Sequence, residues 1–77
     1  MTIDSLLDAC ELVLQEQGEP QSSYWLASQV MEMELWRASE ADVRDALGKD
    51  IAKLGQSSRF VALPDDEFAL RSWSEEK

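Results

Sequence analysis

Three features of this 77-residue sequence predict an α+β fold in which three helices are followed by a two-stranded antiparallel hairpin. Two segments of the first half carry apolar residues at helical spacing. A third helical segment follows them. Near the C-terminal end, two short apolar runs flank a Pro-Asp-Asp turn, which is typical of a hairpin. A chain of this length buries only about 60% of its unfolded surface, so we expect one small domain with one core.

The domain is predicted to span residues 1–73, and residues 74–77 are expected to form a flexible tail. Three tryptophans can each bury a large apolar area and so support a core in a short chain: Trp25, Trp36 and Trp73.

The first helix is indicated by apolar residues that recur at positions i, i+3, i+4 and i+7, namely Ile3, Leu6, Leu7, Cys10, Val13 and Leu14. Thr2 or Asp4 is expected to be its N-cap. Gly18 suits the left-handed position after a helix, and Pro20 prevents continuation. The helix is therefore predicted to end near Gln17.

The second helix is predicted to begin after an N-cap at Ser22 or Ser23. Its apolar positions are expected to face the core: Leu26, Val30 and Met33. We interpret the two aromatic residues of its first turn as core and cap packing rather than as a ligand site: Tyr24 and Trp25. Leu35 and Trp36 are expected to anchor the end of the segment.

The third helix spans residues 39–54, and Ser39 with Asp42 predicts a capping box at its start. One narrow sector is apolar and is expected to face the core: Val43, Leu47, Ile51 and Leu54. The opposite ridge consists mostly of small residues: Ala41, Asp45, Gly48 and Ala52. A glycine inside a helix costs about 1 kcal/mol relative to alanine. Either packing or the close approach of a partner would explain Gly48, unless the glycine has arisen by drift.

Gly55 is expected to end this helix, and Ser58 leads into the first strand, which runs to Leu63. Residues 63–66 predict a type I turn, because proline fits its second position and aspartate its third. The returning strand is predicted over residues 68–73. A helix that runs into such a hairpin is the second half of a winged helix-turn-helix.

The composition excludes several classes of protein. The chain contains no histidine and one cysteine, so neither a zinc site of the usual ligands nor a histidine-dependent nucleophile can form. Neither a dinucleotide fingerprint nor a P-loop is present. Cys10 lies on the apolar side of a helix and is expected to be buried. We predict a non-enzymatic protein without metal, cofactor or small-molecule substrate.

Charge is distributed unevenly along the chain. The net charge is -9, and residues 1–36 contain seven acids and no base. Nucleic-acid affinity depends on basic residues that displace counterions from phosphates, so a basic protein surface suits this domain better as a partner. The N-terminal segment lacks the pattern of a signal peptide or a membrane span. We expect residence in the cytoplasm, with nucleoid association as an alternative.

Several short motifs together resemble the HARE helix-turn-helix family. They are Leu47, Asp50-Ile51, Ser58-Arg59-Phe60, Phe68-Ala69-Leu70-Arg71, Gly18-Glu19-Pro20 and Leu35-Trp36. The resemblance covers nearly the whole chain and implies a winged-helix module of the kind found in chromatin regulators, restriction endonucleases and the N-terminal domain of the RNA polymerase delta subunit. Two positions depart from the family pattern. Glu34 stands where a glycine is usual, and Ser39-Glu40 replaces the frequent Thr-Pro.

Two uses of the domain follow, and protein docking is the favoured one. The partner would be a protein of a DNA-associated complex, such as RNA polymerase or a nuclease, with exposed apolar residues of the hairpin as hot spots. The candidate docking residues are Asp45, Gly48, Asp65, Asp66, Glu67, Arg71 and Trp73.

The alternative is direct, weak binding of DNA with residues 39–54 as the recognition helix. Its candidate contacts are Arg37, Ser39, Arg44, Lys49, Lys53, Ser57 and Ser58. Asp50 and Arg59 are instead expected to form a structural pair that links the third helix to the hairpin. The sequence leaves the oligomeric state open.

Overall fold

The computed structural model describes residues 3–75, which form four helices and a three-stranded antiparallel sheet. In chain order the elements are α1 (Leu6–Gln17), β1 (Gln21–Ser22), α2 (Ser23–Glu32), α3 (Glu40–Leu54), β2 (Phe60–Leu63), β3 (Glu67–Leu70) and α4 (Arg71–Glu75). The predicted α+β winged-helix arrangement is confirmed, with one helix and one strand more than expected. Thr2, Glu76 and Lys77, on which parts of the cap and tail predictions fall, lie outside the described residues.

Helix α1 begins later than either of the two predicted N-caps, Thr2 and Asp4, implies. Its N-cap is Ser5 rather than Asp4, because the Ser5 hydroxyl accepts the Asp8 N–H at 3.2 Å. The predicted end at Gln17 is confirmed. Gly18 adopts a φ of 80°, and its N–H donates to the carbonyl of Leu14 at 2.8 Å.

Helix α2 is capped by Ser22, whose hydroxyl accepts the Trp25 N–H at 3.2 Å. Leu26 and Val30 are fully buried, as predicted. The inward placement of Met33 is wrong. This residue lies just beyond the last turn of the helix and is 44% exposed.

The turn between α2 and α3 separates two adjacent apolar side chains. Glu34 adopts the left-handed conformation that glycine accepts most easily, with a φ of 57°. The N–H of Leu35 then donates to the carbonyl of Val30 at 2.9 Å, and the Leu35 side chain packs against the core. Trp36 is left 39% exposed, so only Leu35 acts as the expected anchor.

Helix α3 starts with the predicted capping box. The Ser39 hydroxyl accepts the Asp42 N–H at 3.2 Å, and the Asp42 carboxylate accepts the Ser39 N–H at 3.1 Å. Val43 and Leu47 are fully buried. Leu54 was expected in the same apolar sector, but it is 44% exposed because it is the last residue of the helix, where the chain turns into a 3-10 turn over Gly55–Ser57.

The sheet has the strand order β1-β3-β2, and both pairings are antiparallel. Phe60 pairs with Leu70 and Leu63 with Glu67 across the hairpin, while Gln21 of β1 pairs with Phe68. Strand β3 is therefore the central strand. Its apolar residues are all buried: Phe68, Ala69 and Leu70.

The turn of the hairpin, which we call the wing turn (Pro64–Asp66), is not the type I turn that the sequence predicted. Asp65 and Asp66 both adopt left-handed conformations, with φ values of 65° and 60°. A type I turn requires a negative φ at its third position, which Asp65 occupies. Aspartate is one of the few non-glycine residues that enter this region readily.

The returning strand ends at Leu70 rather than at Trp73, because the chain continues as α4. The backbone of α4 runs to Glu75, into the segment for which a loose tail was expected. The Trp73 side chain packs against the core. Residues of α1, α2, α3 and both hairpin strands together form that core.

Cys10 is fully buried in the core, as predicted. Burial raises the pKa of its thiol to about 12, because an apolar environment disfavours the thiolate. This cysteine is therefore an apolar packing residue rather than a nucleophile.

Candidate interaction surface

The surface that a winged helix normally presents to a partner consists here of the exposed side of α3 and the wing turn with Glu67. We call it the α3–wing surface. The side of α3 that faces solvent is formed by Ala41, Asp42, Arg44, Asp45, Gly48, Lys49 and Ala52. A Cβ atom added to Gly48 would meet no atom within 4 Å, so packing inside the domain does not explain this glycine.

Arg44 is held by two carboxylates from different elements. Its Nη2 lies 2.6 Å from Oε2 of Glu40, one helical turn away, and its Nε lies 3.2 Å from Oδ1 of Asp66 in the wing turn. The hydrogen bond to Asp66 is the main reason that the pKa of the Arg44 guanidinium is raised. The positive charge in the middle of the α3–wing surface is therefore compensated within the domain.

Asp66 ties the wing turn to both helices of the helix-turn-helix. Its carboxylate accepts a hydrogen bond from the buried hydroxyl of Ser23 at the start of α2. The same carboxylate binds Arg44 of α3. The Ser23 hydrogen bond, followed by that of Arg44, lowers the pKa of Asp66 below its ordinary value of 3.8. Asp66 was predicted to dock on a partner, but its contacts make it an internal link.

The predicted pair between Asp50 and Arg59 does not form. Arg59 reaches across to α1, where its Nη1 lies 2.8 Å from both Asp8 and Glu11. The Asp50 carboxylate accepts a hydrogen bond from the Ser58 hydroxyl instead. Each residue makes a contact within the domain, but the two join different elements, because α1 supplies the acids that Arg59 meets.

The candidate DNA contacts divide into three groups. Ser58 is 1% exposed and bound to Asp50, so it cannot reach a phosphate, and the prediction for it is wrong. Arg44 is bound by carboxylates, and Lys49 lies 3.1 Å from Asp45 in an exposed pair of the kind that contributes little. The remaining candidates are exposed: Arg37, Ser39, Lys53 and Ser57.

Two further docking candidates also serve the fold. The Arg71 guanidinium donates to the carbonyls of Ser58 at 2.7 Å and of Gly55 at 3.0 Å, which fixes the segment between α3 and β2. Trp73 packs against the core. The candidates that stay exposed on the α3–wing surface are Asp45, Gly48, Asp65, Asp66 and Glu67, of which Asp66 is bound to Ser23 and Arg44.

The exposed large apolar side chains of the described residues lie outside the hairpin that was expected to supply hot spots. They are Tyr24, Met31, Met33, Trp36 and Leu54. Tyr24 was expected to take part in core and cap packing, but it is 69% exposed. Its neighbour Trp25 packs against the core, and a helix turns by about 100° per residue, so the two cannot share one face.

Within the part of the chain that the structure describes, no cluster of histidine, cysteine, aspartate and glutamate side chains could hold a metal ion. Over the same residues, no helix is both long enough and apolar enough to cross a membrane.

A comparison with protein families matches residues 5–73 to HARE-HTH, a helix-turn-helix domain that the family description assigns to ASXL proteins and restriction endonucleases, among others. Searches of curated proteins and of solved structures found no match. The family match covers nearly the whole chain and agrees with the helix-turn-helix and wing described above. The chain therefore belongs to the HARE-HTH family, whose domains are winged helix-turn-helix modules of the DNA-binding type.

Proposed function

We propose that this domain is a non-enzymatic interaction module of DNA-associated machinery, such as RNA polymerase or a nuclease, and that its α3–wing surface docks on a basic protein surface. The partly exposed ion pairs that Arg44 forms with Glu40 and Asp66 carry this proposal. A DNA-binding domain uses the arginine of its recognition helix to contact the phosphate backbone of the DNA. Here Glu40 and Asp66 already bind Arg44.

The charge of the whole α3–wing surface supports the same partner. Helix α3 contains four acids and three bases, and residues 64–67 contain three acids and no base. Lys49 is further offset by Asp45. A surface with this excess of acids repels phosphates at long range and attracts lysine and arginine side chains, which raises the rate of association with a basic protein.

Direct DNA binding is the second candidate, because the family is of the DNA-binding type. Exposed cations support it at two places, Arg37 before α3 and Lys53 in its last turn. Lys49 is also 79% exposed, so its surface pair with Asp45 could exchange for a phosphate contact at little cost.

A titration with two fluorescent probes separates the candidates. One probe is a mixed-sequence DNA duplex, and the other is a synthetic peptide rich in lysine and arginine. We expect the peptide to bind and the duplex to bind more weakly than micromolar at about 0.15 M salt. The double variant Asp45→Asn, Asp65→Asn should bind the peptide more weakly, because both carboxylates are exposed on the α3–wing surface.

The opposite pattern contradicts docking. If the duplex binds with micromolar affinity or tighter, and Arg44→Ala with Lys49→Ala abolishes that binding, the domain reads DNA directly. The slope of log K against log salt then gives the number of phosphates contacted, at about -0.9 per phosphate.

A further inference from the structure

Exposed apolar side chains gather on one side of α2 and the turn that follows it. Tyr24 is 69% exposed, Met31 50% and Trp36 39%. They border two depressions of about 350 Å³ each, and Met31 contributes to both. We call this feature the α2 groove. Its lining residues include Tyr24, Ala27, Met31, Trp36, Ala38 and Glu40.

The two depressions of the α2 groove could each accept a side chain of a partner. Small residues, Ala27 and Ala38, each 6% exposed, form the base of the depression beside Tyr24. Larger side chains rise around them. The depression beside Tyr24 is mainly apolar, whereas the one beside Trp36 is lined by Glu34 and Arg37 as well as by apolar side chains. Anchors buried in such depressions carry most of the binding energy of an interface.

The backbone holds the α2 groove in place before any partner arrives. The Ala38 N–H donates to the Met31 sulfur at 3.4 Å, which positions this side chain between the two depressions. The left-handed Glu34 and the inward Leu35 leave Trp36 at the surface. Methionine is flexible and polarisable, so Met31 can adapt to an anchor that enters either depression.

The charge around the α2 groove indicates what occupies it. Glu34 and Glu40 line it, and Glu32 is exposed beside Met31. The bases nearby are Arg37, which lines one depression, and Arg44, which binds Glu40. Because Glu40 is paired with Arg44, the charges that remain at the groove are Glu32 and Glu34 against Arg37, which is a small excess of negative charge. A second copy of the chain would bring a net charge of -9 against -9, which disfavours self-association.

We propose that the α2 groove binds a short amphipathic helix of a basic protein partner. Two apolar anchors one turn apart would fill the depressions on either side of Met31, and lysine or arginine side chains flanking them would face Glu32 and Glu34. This inference rests on the proposed function for the class of partner, but it places the apolar anchoring on α2 rather than on the α3–wing surface.

The test uses a helical peptide with leucines at i, i+3, i+4 and i+7 in a lysine and arginine background. A control peptide replaces every base by glutamate. Met31→Gln and Met33→Gln form a matched pair, because both methionines are exposed and lie two residues apart, whereas Met33 lines neither depression. Glutamine matches methionine in length and can still accept the Ala38 N–H, so the fold is retained, which the melting temperature checks.

We expect Met31→Gln to weaken binding of the basic peptide at least about tenfold and Met33→Gln to leave it within about twofold. In NMR spectra of the labelled protein, the basic peptide should shift the indole N–H signal of Trp36, and the acidic peptide should not.

Four outcomes overturn the inference. The first is absence of binding by the basic peptide, and the second is equal binding by the acidic control. In the third, binding is insensitive to Met31→Gln but weakened by Asp45→Asn with Asp65→Asn, which leaves the proposed function intact. In the fourth, sedimentation shows a dimer that Met31→Gln dissociates, so that the occupant is a second copy. If Met31→Gln abolishes binding and Asp45→Asn with Asp65→Asn has no effect, the α2 groove is supported. Only the proposal that the α3–wing surface docks on the partner is then contradicted.

Discussion

The Asp66 carboxylate of the wing turn accepts a hydrogen bond from the Ser23 hydroxyl, 43 residues earlier in the chain, which is fully buried at the start of α2. A buried hydroxyl without an acceptor is costly. Asp66 also binds Arg44 of α3, so one side chain connects the wing turn with both helices of the helix-turn-helix. The position of the wing is thus fixed by a polar contact as well as by the strand pairing.

Replacing Asp66 should loosen this link. We expect Asp66→Ala to lower the free energy of unfolding by about 1–2 kcal/mol, because Ser23 loses its acceptor in a buried position. Urea denaturation measures the change. Asp65→Ala is the matched control, since Asp65 has a similar φ and is likewise exposed, whereas Asp66 makes the hydrogen bonds to Ser23 and Arg44. The difference between the two variants removes the cost of alanine in a left-handed conformation.

A double-mutant cycle sharpens this test. Once Ser23→Ala has removed the donor, Asp66→Ala should cost less than it does in the wild-type protein, so the two changes should not add. Additive effects of the two substitutions would contradict the hydrogen bond as the source of the stability.

Stability should fall on the acid side, because two folded-state carboxyl pKa values are depressed. Arg59 is the main cause for Asp8, and Ser23 is the main cause for Asp66. A group with a depressed pKa contributes stability above its unfolded value and loses it as the pH falls through its folded value. We therefore expect the melting temperature to fall progressively as the pH drops below the ordinary value of 3.8.

The variants Asp8→Asn and Asp66→Asn report these two contributions separately. Each should flatten part of the acid limb of a plot of melting temperature against pH, and the double variant should flatten more of it. A double variant whose acid limb follows that of the wild type would show that other groups control the loss.

Asp50 and Arg59 should contribute to stability independently. Asp50→Ala leaves the buried Ser58 hydroxyl without its acceptor and should cost about 1–3 kcal/mol, with little dependence on salt. Arg59→Gln breaks a partly exposed contact with α1 and should cost less than about 1 kcal/mol, with a smaller effect in high salt.

The double variant distinguishes this arrangement from a direct pair. Without a shared contact, the two effects should add within about 0.5 kcal/mol in urea denaturation. A large coupling energy between Asp50 and Arg59 would mean that the two side chains interact after all.

Local signals predicted most of the fold, and long-range contacts account for most of the errors. The capping box at Ser39 and the stop at Gly18 are fixed by residues within one turn of each other, so spacing along the chain is sufficient to predict them. Strand β1 has only two residues, which is too short for a periodic pattern. The end of β3 was missed because the strand of Phe68 to Leu70 was extended to Trp73, although Leu70 and Trp73 are three residues apart, which is the spacing of a helix.

The candidate surface was less predictable for the same reason. Arg59 and Asp8 are 51 residues apart, and nothing in the sequence near Arg59 indicates α1 as its partner. The neutralisation of Arg44 likewise depends on the fold of the wing turn. The net charge can be counted from the sequence. Which charged side chains form ion pairs cannot be predicted from it, because the pairs depend on the fold.

Gly48 offers a test in which stability and binding should move in opposite directions. A Cβ at this position meets no atom within 4 Å, so Gly48→Ala should stabilise the exposed helix by about 1 kcal/mol and raise the melting temperature. Ala52→Gly, one turn further along the same ridge, is the matched control and should destabilise α3 by a similar amount. If the α3–wing surface docks closely on a partner, the added methyl of Gly48→Ala should weaken binding of the lysine- and arginine-rich peptide while the domain becomes more stable. Unchanged affinity in a stabilised Gly48→Ala variant would show that no partner backbone approaches this ridge.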